Sequence, residues 1–225
     1  MSQARPHDDA FARQRQAMVL KQLVPRGIAD TRVLAAMARV PREEFVPLQQ
    51  RDLAYCDGAL SIGWEQTISQ PFTVAFMCQA ARLQPGDRVL EIGTGCGYGA
   101  AILAQLAAEV HSVERIQELA ENAREHLARH GYCNVTVHQG DCTLGLPQHA
   151  PFDAIIVTAG ATGLPAAYRQ QLSDGGRIVI PIGSDRRGQT MVCFTRRGDQ
   201  WDAQPLGGFA FVPLIGQGAM DLPDR

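Results

Sequence analysis

The chain has 225 residues, a net charge of −2 and a sequence pI of about 6.3, and 45% of its residues are hydrophobic. That length suits one domain with a substantial core, and so small a net charge leaves no bulk electrostatic footprint for nucleic acid. No run of ~18 apolar residues is present to cross a bilayer, Met1–Asp9 lacks the apolar core of a secretory signal, and six cysteines without a C-x-x-C pair suit neither a zinc knuckle nor a disulfide scaffold. These features predict a reducing cytoplasm, without nucleic-acid or membrane partners; a monomer is expected. The basic pairs Arg186-Arg187 and Arg196-Arg197 read as solvated turns.

Residues 1–10 are polar and read as a frayed tail. Apolar positions Phe11, Met18, Val19 and Leu23 predict a helix over 11–23, broken by Pro25-Arg26-Gly27. Asp30 is placed to cap a second helix, Thr31–Arg39, with Val33, Leu34 and Met37 on one face, and Pro41 stops it. Residues 42–70 read as irregular, and Pro71 suits the first turn of a helix reaching Ala81. From Arg88 onward strand and helix alternate. Strands are predicted at Arg88–Ile92, Val110–Glu114, Val135–His138 and Asp153–Thr158, with helices at Ala100–Leu106 and Ile116–His130. A helix at Leu164–Leu172, closed by Asp174-Gly175-Gly176, leads to strands Arg177–Ile182 and Met191–Thr195. A hairpin turn at Gly198-Asp199 and a last strand at Phe209–Leu214 complete the chain. The pattern predicts an α/β fold: a doubly wound, mostly parallel Rossmann-like sheet with an antiparallel C-terminal end and an N-terminal helical extension.

The chemistry concentrates in Val89-Leu90-Glu91-Ile92-Gly93-Thr94-Gly95-Cys96-Gly97-Tyr98-Gly99. An apolar strand ends in a carboxylate, and glycines at alternate positions let the backbone turn and approach a ligand. Gly95–Ala100 also fits the dinucleotide fingerprint G-x-G-x-x-[G/A], which is weak alone. Charge decides between them. Glu91 at the strand's carboxyl end repels a pyrophosphate and attracts the ammonium of S-adenosylmethionine, which also carries a sulfonium. Gly93, Thr94 and Gly95 are then the turn around the cofactor. Glu114, ending the second strand beside Arg115, is placed to accept from both ribose hydroxyls, the alternative being a surface pair with Arg115. In Gly140-Asp141-Cys142, Asp141 is placed to accept from the adenine amino group with Gly140 giving room, the alternative being a simple turn. Three acids after three successive strands describe recognition of amino group, ribose and adenine. The acceptor is not specified by this core.

Ile62-Gly63 with Gln66-Thr67-Ile68-Ser69-Gln70-Pro71, the Val89–Gly95 segment, Ala150–Ala159, Phe211-Val212-Pro213-Leu214 and the lead-in Val40–Val46 together resemble the protein-L-isoaspartate O-methyltransferases. The resemblance runs from Val19 to Ile215, and Gln66–Pro71 is its most specific piece. It implies methylation of the free carboxylate of L-isoaspartyl residues in damaged proteins and peptides. The ester then closes to a succinimide, which hydrolyses partly to aspartate. By the same resemblance Ser69 falls on the active-site serine, while Gln66, Thr67 and Ile68 pack against cofactor and acceptor. The expected organisation is a tail over 1–10, a helical acceptor segment over 11–87, and a cofactor-binding core with C-terminal strands over 88–225. A hydroxyl without a strong base suits the reaction, because a carboxylate of pKa about 4 is already ionised. Catalysis then rests on holding its oxygen about 3–3.5 Å from the methyl group in line.

Several positions depart from the family's usual pattern. Cys142 stands for a glycine and Cys96 for Ser or Ala, so these thiols are either packing groups or oxidisable pocket walls. Gly160-Ala161-Thr162 replaces an Ala-Ala-Pro stretch, and Ala210 stands where bacterial members often have Arg. Both changes bear on the acceptor, which leaves another carboxyl methyltransferase, or a cofactor binder without catalysis, as alternatives. Trp64 is either a cover for the acceptor or a loop anchor. His126 and His130 are four apart on a predicted helix, but lack a third ligand and read as a solvated face, so no metal is expected.

Overall fold

The computed structural model describes residues 6–184 and 188–218, so the Arg186-Arg187 pair lies outside the described residues. Helix α1, Pro6–Met18, begins ahead of the expected position at Phe11, with the fixed φ of Pro6 suited to a first helical turn. A π turn, Val19–Leu23, and a short 3-10 turn, Val24–Arg26, extend it to Gly27, whose φ of 89° ends the run. Helix α2, Thr31–Arg39, starts as the sequence predicts, the Asp30 side chain accepting from the Arg32 amide.

The stretch read as irregular contains a hairpin. Strands β1, Leu60–Gly63, and β2, Gln66–Ile68, pair antiparallel around Trp64 and Glu65. Both turn residues have positive φ, 50° and 56°. That is the backbone of a tight type I′ turn, normally signalled by Asn-Gly or Asp-Gly, and its absence from the sequence conceals the strands. Helix α3, Pro71–Ala81, follows with proline in its first turn.

The core alternates β3 (Arg88–Ile92), α4 (Tyr98–Ala104), β4 (Glu109–Glu114), α5 (Gln117–Arg129), β5 (Val135–Gln139), β6 (Phe152–Val157), α6 (Ala166–Gln171) and β7 (Leu172–Ile182), then β8 (Gln189–Arg197) and β9 (Gln200–Phe209). These strands form one seven-stranded sheet in the order β5-β4-β3-β6-β7-β8-β9, parallel from β5 to β7 and antiparallel beyond. β3 and β6 are central and almost wholly buried, as continuous apolar runs in a covered parallel sheet should be. Chain order reverses between β3 and β6, which opens the ligand crevice of such sheets at their carboxyl ends.

Two C-terminal expectations are corrected. Asp174-Gly175-Gly176 lies inside β7 rather than closing a helix, and the pairing with β6 shifts register beside it. The last strand is β9, which pairs with β8 and ends at Phe209. Its ladder with β8 is interrupted between Pro205 and Gly207, where one extra residue, Leu206, bulges out. Past Phe209 a side chain takes over from the ladder: the buried Gln189 amide accepts from Phe211 N at 2.8 Å and donates to Phe211 O at 3.3 Å. The chain then crosses the end of β6, with Gly160 N donating to Val212 O and Leu214 N to Gly160 O.

Candidate active site

Glu91, the penultimate residue of β3, is buried at 1% exposure. Ser112 of β4, its register partner, donates to Glu91 Oε2 at 2.5 Å, and Thr94 Oγ1 lies 2.6 Å from Ser112 Oγ. Burial pushes the Glu91 carboxyl up to about 8, the Ser112 bond opposes the rise, and the nearby Glu114 carboxylate adds to it. Its space is made by Gly99, where a Cβ would overlap Glu91 Oε1. Gly93 is required twice over. Its φ is 92°, and a Cβ there would overlap the Thr158 hydroxyl, which donates to the carbonyls of Ile92 and Gly93.

Glu114 ends β4 with both oxygens in use, accepting from Gly95 N and from Ile116 N at 2.9 Å each. One carboxylate thereby fixes the glycine turn and the start of α5. Glu114 lines the same pocket as Glu91, together with Gly95 and Arg115. That pocket is walled by β2 on one side and by the Val212–Ile215 crossing on the other.

Of the sequence-predicted residues, the structure brings Gln66, Thr67, Ile68, Ser69, Glu91, Gly93, Thr94, Gly95, Glu114, Arg115 and Cys142 to this one pocket. Gly140 and Asp141 are not in its wall. The Asp141 carboxylate serves its own loop, accepting from Thr143 N at 2.9 Å and Thr143 Oγ1 at 2.6 Å, and from Gln217 N at 2.7 Å. No local pattern announces the Gln217 contact, which comes from far along the chain. Cys96 and Cys142 both line the pocket, and burial holds their thiols protonated, pushed up to about 11 and about 12. Raised thiols of this kind carry little thiolate near neutral pH.

A second groove opens on the far side of β2, lined by Arg26, Asp57, Phe72 and Ala210. Thr67, Ser69, Thr158 and Val212 belong to both cavities. Among the described residues no hydrogen bond engages the Ser69 hydroxyl, whereas the Ser69 carbonyl accepts from Arg42 Nη2 at 2.8 Å. Arg42 is a buried neighbour of the Ser69 segment that the sequence reading missed. It is completely buried, donates also to Ala54 O at 2.7 Å, and lies 4.9 Å from the centre of the Tyr98 ring. The signal available was a charged residue inside the lead-in segment Val40–Val46.

Other expectations resolve here. Gly160 is a strut, a Cβ on it overlapping the Gln189 amide, while Thr158 and Ala159 form the pocket wall. Trp64 sits at the hairpin apex with 47% exposure and anchors nothing in the core. His126 and His130 are half-buried rather than fully solvated: both rings pack on Phe45, with centroids 5.7 and 5.6 Å away.

A family model described as protein-L-isoaspartate(D-aspartate) O-methyltransferase matches residues 13–219. The chain belongs to this family. Protein-L-isoaspartate O-methyltransferase 2 of Marinobacter nauticus is 54% identical over 204 residues, covering 90% of this chain and 93% of that protein. A solved protein-L-isoaspartate O-methyltransferase superposes with a TM-score of 0.81 at 30% identity, covering 91% of this chain and 67% of the other. A structure from Plasmodium falciparum that holds S-adenosyl-L-homocysteine shares the fold, with a TM-score of 0.78, 24% identity, and coverage of 89% and 98%. The chain is therefore an isoaspartyl methyltransferase by family, with the mostly parallel sheet and antiparallel end expected of it.

Proposed function

We propose that the two cavities meeting at Ser69 hold the methyl donor and the acceptor peptide, and that Ser69 orients the isoaspartyl carboxylate for esterification. The reaction is methyl transfer from S-adenosyl-L-methionine to isoaspartyl residues of damaged proteins, which starts their repair. The observation supporting this division is the shared wall of Thr67, Ser69 and Thr158. The pocket over β3 fits a cationic nucleoside: carboxylates of Glu91 and Glu114 face it, and the glycine turn leaves the room that side chains would fill. When bound, S-adenosyl-L-methionine supplies a methyl group activated by positive sulfur.

The chain's own residues bind and orient. Glu91 faces the ammonium, Glu114 the ribose, and the free Ser69 hydroxyl donates to an acceptor carboxylate that is already ionised. No general base is called for. In the acceptor groove Arg26 lies 3.6 Å over the face of Phe72 and pairs with Asp57 at 3.1 Å. Its guanidinium stands in the groove that Ala210 also lines, so the cation missing at position 210 is supplied from position 26. With all six cysteines free, the reading includes a reducing cytoplasmic compartment and a monomer, the latter checked by sedimentation.

The test is methyl transfer from labelled S-adenosyl-L-methionine to a matched isoaspartyl and aspartyl peptide pair. Selective labelling of the isoaspartyl member is expected. Ser69→Ala should lower kcat about 10- to 100-fold, the worth of one hydrogen bond to a charged group, with little change in cofactor affinity. Full turnover by the variant would remove Ser69 from the mechanism.

Glu91 also sets a pH dependence. With its carboxyl pushed up to about 8, it is neutral at pH 7, and an ammonium placed beside it draws it down and ionises it. Cofactor binding near pH 7 should therefore release close to one proton per site, and affinity should rise with pH until about 8 and then level. Titration calorimetry in buffers of different ionisation heats measures the proton directly. No release at pH 7 would contradict the assignment.

A further inference from the structure

On the sheet face opposite Ser112, three imidazoles meet. His111 follows Glu109 by two positions on β4, His138 lies on β5, and His149 ends a short 3-10 turn, Pro147–His149, ahead of β6. Alternation along β4 turns His111 away from the cofactor pocket, toward Phe152, whose ring centre is 5.8 Å from its own. The three ring centroids are 4.5 to 5.3 Å apart. One ring nitrogen from each lies within 4.8 Å of those of the other two.

The hydrogen bonds orient these nitrogens. Glu109 Oε1 is 3.0 Å from His111 Nε2, and its other oxygen accepts from Arg88 Nε at 2.8 Å. With Arg88 donating to its other oxygen, the Glu109 carboxylate is the acceptor toward His111. His111 therefore carries its proton on Nε2 and turns the Nδ1 lone pair inward, where His138 Nε2 stands at 3.0 Å. A carboxylate behind a histidine, fixing its tautomer and aim, is the outer shell that metal-binding imidazoles use.

We propose that His111, His138 and His149 bind one divalent first-row transition-metal ion of the zinc class, clamping the Pro147–His149 turn onto β4 and β5. Imidazole nitrogens suit zinc, copper or nickel and not magnesium or calcium. Metal–nitrogen bonds of about 2.0–2.1 Å in tetrahedral geometry set ligand nitrogens roughly 3.3 Å apart. The His111–His138 pair is already close to that spacing, and His149, half-buried on its turn, closes the rest. Binding requires His138 to give up its Nε2 proton and take one at Nδ1 through solvent. No electron is transferred, and the fourth coordination position is left to water. Spacing hid the site, because its ligands come from three elements and no motif links them.

The test uses the full chain without a histidine tag, stripped with chelator and titrated with Zn2+ alone. One ion per chain should bind, and melting temperature should rise with metal concentration. His149→Ala and His138→Gln should each weaken binding about 100-fold or more and abolish the melting shift. Glu109→Gln should weaken it about 10-fold, a loss that a casual surface site would not feel. Co2+ should give the strong visible band of a four-coordinate nitrogen site in the parent and not in His149→Ala. Absence of binding overturns the proposal, as does zinc bound equally by all variants, which would place it on the exposed thiols Cys56 and Cys133. Isoaspartyl methylation by folded His149→Ala should match the parent, which separates this site from the reaction.

Discussion

Arg42→Ala is expected to destabilise the protein by about 3–5 kcal/mol and to cut turnover while leaving cofactor affinity within about twofold. The residue is wholly buried, and among the described residues no carboxylate pairs with it. Burial depresses its pKa. What keeps it in place is the planar fork, which donates to Ala54 O and Ser69 O together and lies against Tyr98. Truncation leaves both carbonyls unpaired at about 1–3 kcal/mol each and opens a cavity under the acceptor segment. The Ser69 backbone then loses its tether, so the kinetic loss should fall on kcat rather than on the cofactor. Arg42→Lys separates the effects, since one ammonium cannot span both carbonyls in the fork's geometry. Urea unfolding and steady-state kinetics of the two variants measure this. Unchanged melting in Arg42→Ala would show that the buried fork contributes nothing.

Glu114→Gln should weaken S-adenosyl-L-methionine binding about 100-fold, close to the effect of Glu114→Ala, although glutamine has the same shape. Both Glu114 oxygens accept from backbone N–H groups, of Gly95 and Ile116. An amide must present its NH2 to one of those donors, setting donor against donor. The glycine turn then shifts at the wall of the pocket, and the ionic acceptor proposed for the ribose is lost. A hydrogen bond to a charged group is worth about 1.5–3 kcal/mol, and the upper part of that range is about a hundredfold in affinity. Direct titration of the purified variants decides it. Binding by Glu114→Gln within about threefold of the parent would sink the argument.

Local chemistry was legible wherever it rests on local sequence. Asp30 announces α2, Pro71 announces α3, and the glycines with Glu91 announce the turn after β3, because a cap, a fixed φ and a missing Cβ each act within a few residues. The alternation that predicts the parallel sheet is likewise a pattern of neighbours. What escaped depends on partners distant in the chain. Trp64 and Glu65 adopt positive φ without the residues that normally signal it. Gln189 pairs Phe211 by side chain instead of ladder, and Gln217 takes the Asp141 carboxylate expected at the adenine. The three histidines show nothing in sequence and Arg42 shows only a charge inside the lead-in segment, because their meaning comes from packing across elements. Phe45 likewise covers one side of the His126 and His130 rings, which a helical wheel assigns wholly to water.

The bulge in β9 bears on what this protein must avoid. An enzyme whose substrates are aged, partly unfolded chains meets many extended peptides, and an open sheet edge would add any of them as another strand. β9 is such an edge, ten residues long. Its middle carries Pro205, which has no N–H to offer, then the bulged Leu206, then Gly207 at φ 117°. The opposite edge, β5, has only five residues. Neither rim offers a long regular template, so extended peptides are not captured by backbone pairing along the sheet.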